Sequence, residues 1–417
     1  MTRDVLGAAL IALVLVGLGI ATHGGVPRAD QDYLASYPSD SDIYLSMVSH
    51  HRMYPRPPLP DDPPWSMSWV RLPFRYRVLT PWLARLLPFG PVLSLALVNW
   101  LSLAGAYMFV LLTCRRLGLS RAASAGGLAV AFTFVSHLPI YFGPWLTDGP
   151  ILFILSGMTY AFAIGNFWVF ATFGLVGLLA REVPVVLLPA WCVRDWKRGA
   201  GVTALAVAGV IVERAILGNP TGDASASMLL QPAGWPHALA DLVRHGPPGA
   251  SFWPGVHWPA NHLRGLLVDV EATWGWAFPV VAIGAWLLPR EALARVGPVM
   301  AVLVLAACGM SLIATDVSRE FMVLLPVVTA AAAAVIAALA ARRQYAWLAL
   351  LGVLAAAQFC LSEANVVLPQ DAWAVWSARV PMIKVGIVWA AGAAFLLRAD
   401  LAARVTSPGY TLPRRAR

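Results

Sequence analysis

Charge is scarce in this sequence. Only 12% of its 417 residues are Asp, Glu, Lys or Arg, while 59% are hydrophobic. Soluble domains usually carry about a quarter charged residues, so the shortfall excludes water as the main solvent and points to lipid. Cysteine is scarcer still. Cys114, Cys192, Cys308 and Cys360 are scattered in or beside apolar segments with no CxxC spacing, which excludes a zinc ribbon and a disulfide framework. They read as small apolar packing residues. There is no Walker A, GxGxxG, GxSxG or HExxH motif and no Arg-rich voltage-sensing helix, so ATP-driven transport and serine hydrolase chemistry have no support. No internal repeat is visible, which counts against a repeat-built transporter. The net charge is +9, yet the basic residues form no stripe with interleaved aromatics on a soluble segment. Nucleic acid is therefore not an expected partner, and membrane lipids are.

Apolar blocks dominate what remains, many of them near the 20 residues of helix that cross a hydrocarbon core. Spans are expected near 5–22, 91–113, 122–142, 149–164, 167–180, 183–193, 200–217, 272–289, 297–315, 321–341, 345–361 and 382–397. The expected fold is all-α, a single polytopic transmembrane bundle of about 11–12 spans over residues 1–417. Residues 5–22 are read as a retained first span with Arg3 holding its start in the cytoplasm. The basic clusters Arg115-Arg116-Arg121, Arg194-Lys197-Arg198, Arg290-Arg295, Arg342-Arg343 and Arg398–Arg417 all fall on the cytoplasmic side only if 167–193 is a short hairpin. Its tip, Arg181-Glu182, then touches the outer face.

Under that topology all eight His lie outside or at outer ends of spans. So do 17 of the 21 acidic residues, the exceptions being Asp4, Asp195, Glu291 and Asp400. Side chains fit for acid–base work are thus concentrated on one face. Three outer segments are long: 23–90, 218–271 and 362–381. The first holds six prolines between Pro55 and Pro64, then the amphipathic stretch Trp65–Leu87, which suits helices lying in the interface plane. Ordered loops also accord with the 18 Trp and 32 Pro of the chain.

Several constellations on that face could carry chemistry. Asp40 and Asp42, in Ser39-Asp40-Ser41-Asp42-Ile43-Tyr44, could supply a general base or chelate a divalent ion such as Mg²⁺ or Mn²⁺; the bland alternative is a solvated turn or helix cap. Arg75 and Arg77 flank Tyr76 in the proline-bounded stretch Pro73–Pro81. Forked guanidinium donors match phosphate oxygens, though snorkelling anchors would look the same. Asp148, the pair Arg181-Glu182, and Asp316 with Arg319 stand at outer ends of spans, where charges pair or line a water-filled cavity. In the second outer segment, His257 and His262 sit among Trp253, Trp258 and Asn261. Aromatic walls with hydrogen-bonding groups suit a sugar, but loop histidines without a catalytic role are the commoner reading.

The order of these features resembles the GT-C superfamily of polytopic glycosyltransferases: Asp40/Asp42 after the first span, Arg75-Tyr76-Arg77, Asp148, Arg181-Glu182, then Asp316/Arg319. The resemblance is architectural and covers most of the chain. It implies transfer of a sugar from a polyprenyl-phosphate donor to a glycan, lipid or protein acceptor at the extracytoplasmic face, with inversion. Asp42, or else Asp40, would be the base. Arg75, Arg77, Arg181 or Arg319 would neutralise the leaving phosphate, and Tyr44, Asp148, Glu182, Asp316, His257 and His262 would line the cavity. No cofactor is required, and a metal at Asp40/Asp42 becomes unnecessary where arginine does its work. The expected address is a bacterial inner membrane. Two rivals stay open: a polysaccharide polymerase or ligase relying on the later outer loop, and a transporter or flippase of a lipid-linked sugar.

Overall fold

A computed structural model describes residues 2–22, 44–45, 47–48, 78–135, 148–181, 183–217, 274, 277–311 and 322–360. Every regular element among them is helical. In chain order these are α1 (Thr2–Thr22), α2 (Leu79–Arg85), α3 (Pro91–Arg116), α4 (Arg121–Val135), α5 (Asp148–Ile164), α6 (Phe167–Gly177) and α7 (Val183–Leu187). A 3₁₀ turn (Leu188–Val193) follows, then α8 (Trp196–Leu217), α9 (Ala277–Leu287), α10 (Arg290–Ser311), α11 (Leu325–Ala341) and α12 (Tyr345–Cys360). All of these but α2 overlap the expected spans, and the stretch 382–397 lies outside the described residues.

Four stretches, Arg3–Thr22, Pro91–Arg116, Arg290–Cys308 and Met322–Ala341, are long and apolar enough to cross a membrane. The described residues are thus all-helical, and their length and apolarity are those of a membrane protein. Lipid offers backbone groups no hydrogen bonds, so only structures that satisfy them internally persist there, and the helix does so within one segment. α1 touches α3 along the stripe Ala8, Ala12 and Val16, leaving Leu6, Leu10, Leu13 and Leu18 exposed. In water that surface would be a liability; in a bilayer it is the solvent-facing side.

At the centre, α11 is buried along Leu325–Val335 by α4 and α9. Its alanines let backbones approach closely, as interfaces in lipid require. A Cβ at Gly127 of α4 would lie 2.6 Å from the Thr329 carbonyl oxygen, so only glycine fits there.

The ends of the helices sort by charge. Asp4 accepts from Arg121 Nε at 2.8 Å and lies 3.7 Å from Arg115, tying the start of α1 to the turn between α3 and α4. Arg295 Nη1 donates to the Arg116 carbonyl at 3.3 Å, and Arg194 Nη2 donates to the Arg295 carbonyl at 3.1 Å. Four of the five basic clusters lie at turns between described helices, and three of those meet here. We call this the basic end.

Residues 167–193 form a hairpin against α5. Gly165, at φ +72°, turns the chain, and the Asn166 side chain caps α6 by accepting from Val169 N at 3.1 Å. From there α6 runs back along α5. Phe170 stacks 5.9 Å from Phe162, Phe173 packs on Gly157, and Gly177 abuts Ile154. The 3₁₀ turn then returns to the start, with Trp191 5.4 Å from Phe162.

Two helices begin earlier than their expected spans. Asp195 Oδ1 accepts from Arg198 N at 3.1 Å and caps α8 before its apolar run begins. α10 starts at Arg290 and carries Pro298 inside it, because its first turns lie beyond the apolar stretch.

Candidate functional site

The end of the bundle opposite the basic end holds a buried polar cluster built from four parts of the chain. Its foundation is Asn99, on the third turn of α3. Asn99 Nδ2 donates to the Leu95 carbonyl of its own helix at 3.1 Å, while Oδ1 accepts from Gly149 N at 2.9 Å. That bond satisfies one of the amides a helix start leaves open, here the start of α5. Gly149 packs directly on the Asn99 backbone. A Cβ there would run into the Asn99 carbonyl and lie 2.8 Å from its Cα. The two helices are thus locked at the residue next to Asp148.

Asp148 is completely buried. Its Oδ1 lies 3.6 Å from Nη1 of Arg181, whose side chain is only 10% exposed. Arg181 reaches it from the tip of the hairpin, where its own amide is bound to the Gly177 carbonyl at 2.9 Å. The turn before Arg181 is itself pinned: Leu79 N, at the head of α2, donates to the Leu179 carbonyl at 2.8 Å. Thr80 follows, fully buried, and its hydroxyl has no hydrogen-bond partner among the described residues.

The chain just after the Asp40/Asp42 motif sits on the same end. Tyr44, Leu45, Met47 and Val48 are buried against Val78, Ala84, Leu95 and Val98, with Leu179 alongside. Arg85 fastens this segment by donating Nε to the Met47 carbonyl at 2.9 Å, and Nη2 to the same oxygen. The residue that follows Asp42 by two is therefore placed beside α2, the head of α3 and the tip of the hairpin.

Of the residues singled out from sequence, the structure pairs Asp148 with Arg181 and buries Tyr44 at the same end of the bundle. Asp40, Asp42, Arg75, Arg77, Glu182, His257, His262, Asp316 and Arg319 lie outside the described residues. Arg181, expected beside Glu182 as a phosphate binder, faces the carboxylate of Asp148. Asn99, Thr80 and Arg85 escape sequence reasoning. Asn99 alone leaves a trace there, as the one amide in the run Val92–Leu103, whose other polar residues are Ser94 and Ser102. Among the described residues no three of His, Cys, Asp or Glu converge in a way that could hold a metal ion.

Electrostatically the Asp148–Arg181 pair is costly to build and costly to break. Removing one partner leaves an uncompensated buried charge, typically about 3–5 kcal/mol. Buried ionisable groups in a membrane protein mark substrate paths as often as they mark scaffolding. Comparison of the chain with protein-family models, with curated proteins and with solved structures gives no match.

Proposed function

We propose that the chain is a glycosyltransferase of GT-C type, moving a sugar from a polyprenyl-phosphate donor to an acceptor hydroxyl at the extracytoplasmic face of a bacterial inner membrane. The observation that supports this most is the convergence of Asp148, Arg181 and the Tyr44 segment at the end away from the arginine clusters. Positive charge marks the cytoplasmic side, so the polar cluster would face outward with the N-terminus inside. The full 11–12-span bundle and the amphipathic helices of segment 23–90 belong to the same reading.

In this mechanism Asp42, or else Asp40, takes the proton of the acceptor hydroxyl. The freed oxygen pair attacks the anomeric carbon, and a new C–O bond forms with inversion. The bond from that carbon to the phosphate oxygen breaks, and its electron pair leaves on the polyprenyl phosphate. Arg75, Arg77 and Arg319 would neutralise that charge, the kind of preorganised stabilisation that usually dominates catalysis. Arg181, held by Asp148, would add positive potential at the cavity floor. Glu182, Asp316, His257 and His262 would contact sugar or acceptor. No cofactor is needed.

The test is transfer from a radiolabelled polyprenyl-phosphate sugar in membranes carrying wild type, Asp42→Ala or Asp40→Ala. Transfer by wild type that collapses in one variant at unchanged expression supports the reading and names the base. Transfer that survives in both moves catalysis to the later outer loop. No transfer with any donor would overturn the enzyme assignment in favour of transport.

A further inference from the structure

The basic end contains a second built cluster, made of arginines alone. Arg194 ends the 3₁₀ turn, and its guanidinium is wedged in place. It lies 4.4 Å over the Phe162 ring and 5.7 Å from the Trp191 ring. On its other side it is close enough to Gly165 that a Cβ there would come within 3.1 Å of Nη1. Its Nη2 holds the Arg295 carbonyl, and Arg295 in turn holds the Arg116 carbonyl at the end of α3. The Arg194 and Arg295 side chains are thereby chained to the last turn of α3, which carries Arg116.

Positive charges gathered at one end of the bundle call for an anion or a carboxylate, and the nearby acids are engaged elsewhere. Asp4 serves Arg121 and Arg115, and Asp195 serves Arg198 at 3.3 Å. Glu291, one turn before Arg295, makes no ion pair among the described residues, and neither do Arg116, Arg194 and Arg295. Burial, and then the charge of Arg295, hold the Arg194 guanidinium below its usual pKa. All three side chains remain exposed. Mere topological marking would need arginines somewhere on this side; it would not need one clamped between aromatic rings and bonded to its neighbour.

The surroundings identify the anion. Val193, Trp196 and Trp168, in the same hairpin and the turn after it, expose 71%, 67% and 74% of their surface. Exposed Trp beside clustered arginine is the pattern of the headgroup layer, where the ring lies against acyl chains and the cation meets phosphate. A soluble phosphate would have no use for that apolar rim. We propose that Arg116, Arg194 and Arg295 form a binding site for the phosphate of an anionic phospholipid in the leaflet at the basic end. Guanidinium forks suit phosphate oxygens better than ammonium does. The site is independent of the glycosyltransferase reading.

The test uses the purified full chain in neutral detergent, titrated with phosphatidylglycerol or phosphatidylcholine and followed by native mass spectrometry and thermal denaturation. Phosphatidylglycerol should bind and raise Tm, and phosphatidylcholine should do neither. Arg194→Gln with Arg295→Gln should weaken phosphatidylglycerol binding by about 25-fold, at about fivefold per arginine. Arg342→Gln with Arg343→Gln removes the same charge from another turn and should cost no more than about twofold, since distant surface charges are screened. Arg116→Gln covers the case in which the double variant does not fold, because only the Arg116 carbonyl bonds to its neighbours; it should lose about fivefold. Equal losses in the two double variants, or none at Arg116, would overturn the site. Stabilisation by millimolar glycerol phosphate that displaces the lipid would overturn the lipid as its ligand.

Discussion

At the scale of single residues, the buried Asp148–Arg181 pair is the costliest feature to disturb. Asp148→Ala strands a buried guanidinium, and Arg181→Ala strands a buried carboxylate, each at about 3–5 kcal/mol. The double variant Asp148→Ala/Arg181→Ala should be more stable than the sum of the two, with a coupling of about 1–3 kcal/mol in a double-mutant cycle on Tm. Additive losses would mean that the two side chains do not share one site. Gly149→Ala should also destabilise, by about 1–3 kcal/mol, because its methyl group meets backbone of α3 and no side chain can turn away. Charge in an apolar chain is conspicuous, so Asp148 and Arg181 are readable from sequence as important. That they face each other is not, because 33 positions separate them and the hairpin decides which helix end Arg181 reaches.

At the scale of elements, the hairpin 167–193 is the feature on which the site depends. Neither arm is long enough to span a bilayer: α6 has 11 residues and α7 has five. What holds them is α5. The hairpin lies along the whole helix, from Phe162 to Asp148, and Trp191 closes it at the basic end with its ring 5.0 Å from Phe170. Asn166→Ala removes the cap of α6 and should cost about 1 kcal/mol, seen as a lower Tm. Trp191→Ala should cost more, about 3–5 kcal/mol, since it opens a cavity among Phe162, Phe167 and Phe170. The same substitution frees Arg194, so phosphatidylglycerol affinity should fall with it. Charge placement along the sequence already demanded a hairpin here. The antiparallel register against α5 comes from ring packing and glycine contacts, which no linear pattern encodes.

At the scale of the whole molecule, the two ends differ in kind: one gathers exposed arginines, the other buries a mixed polar cluster. In a cysteine-free background lacking Cys114, Cys192, Cys308 and Cys360, Ser120→Cys should react with a membrane-impermeant thiol reagent only after permeabilisation. Phe89→Cys, exposed in the turn between α2 and α3, should react in intact spheroplasts. The opposite result would invert the orientation and place the Asp148 cluster on the cytoplasmic side. By itself the sequence determined that the chain is helical and lives in lipid, because hydropathy and the cost of bare backbone leave few alternatives. It also determined where most helices begin and end, and which side of each turn carries positive charge. Only the tertiary structure decided that Asn99 anchors α5, that Asp148 and Arg181 pair, and that Arg194 and Arg295 reach the backbone of the neighbouring turns. Each of these joins side chains through contacts between helices. In lipid those contacts are set by close packing of small residues and rings rather than by hydrophobicity, and packing leaves no periodic mark in the chain.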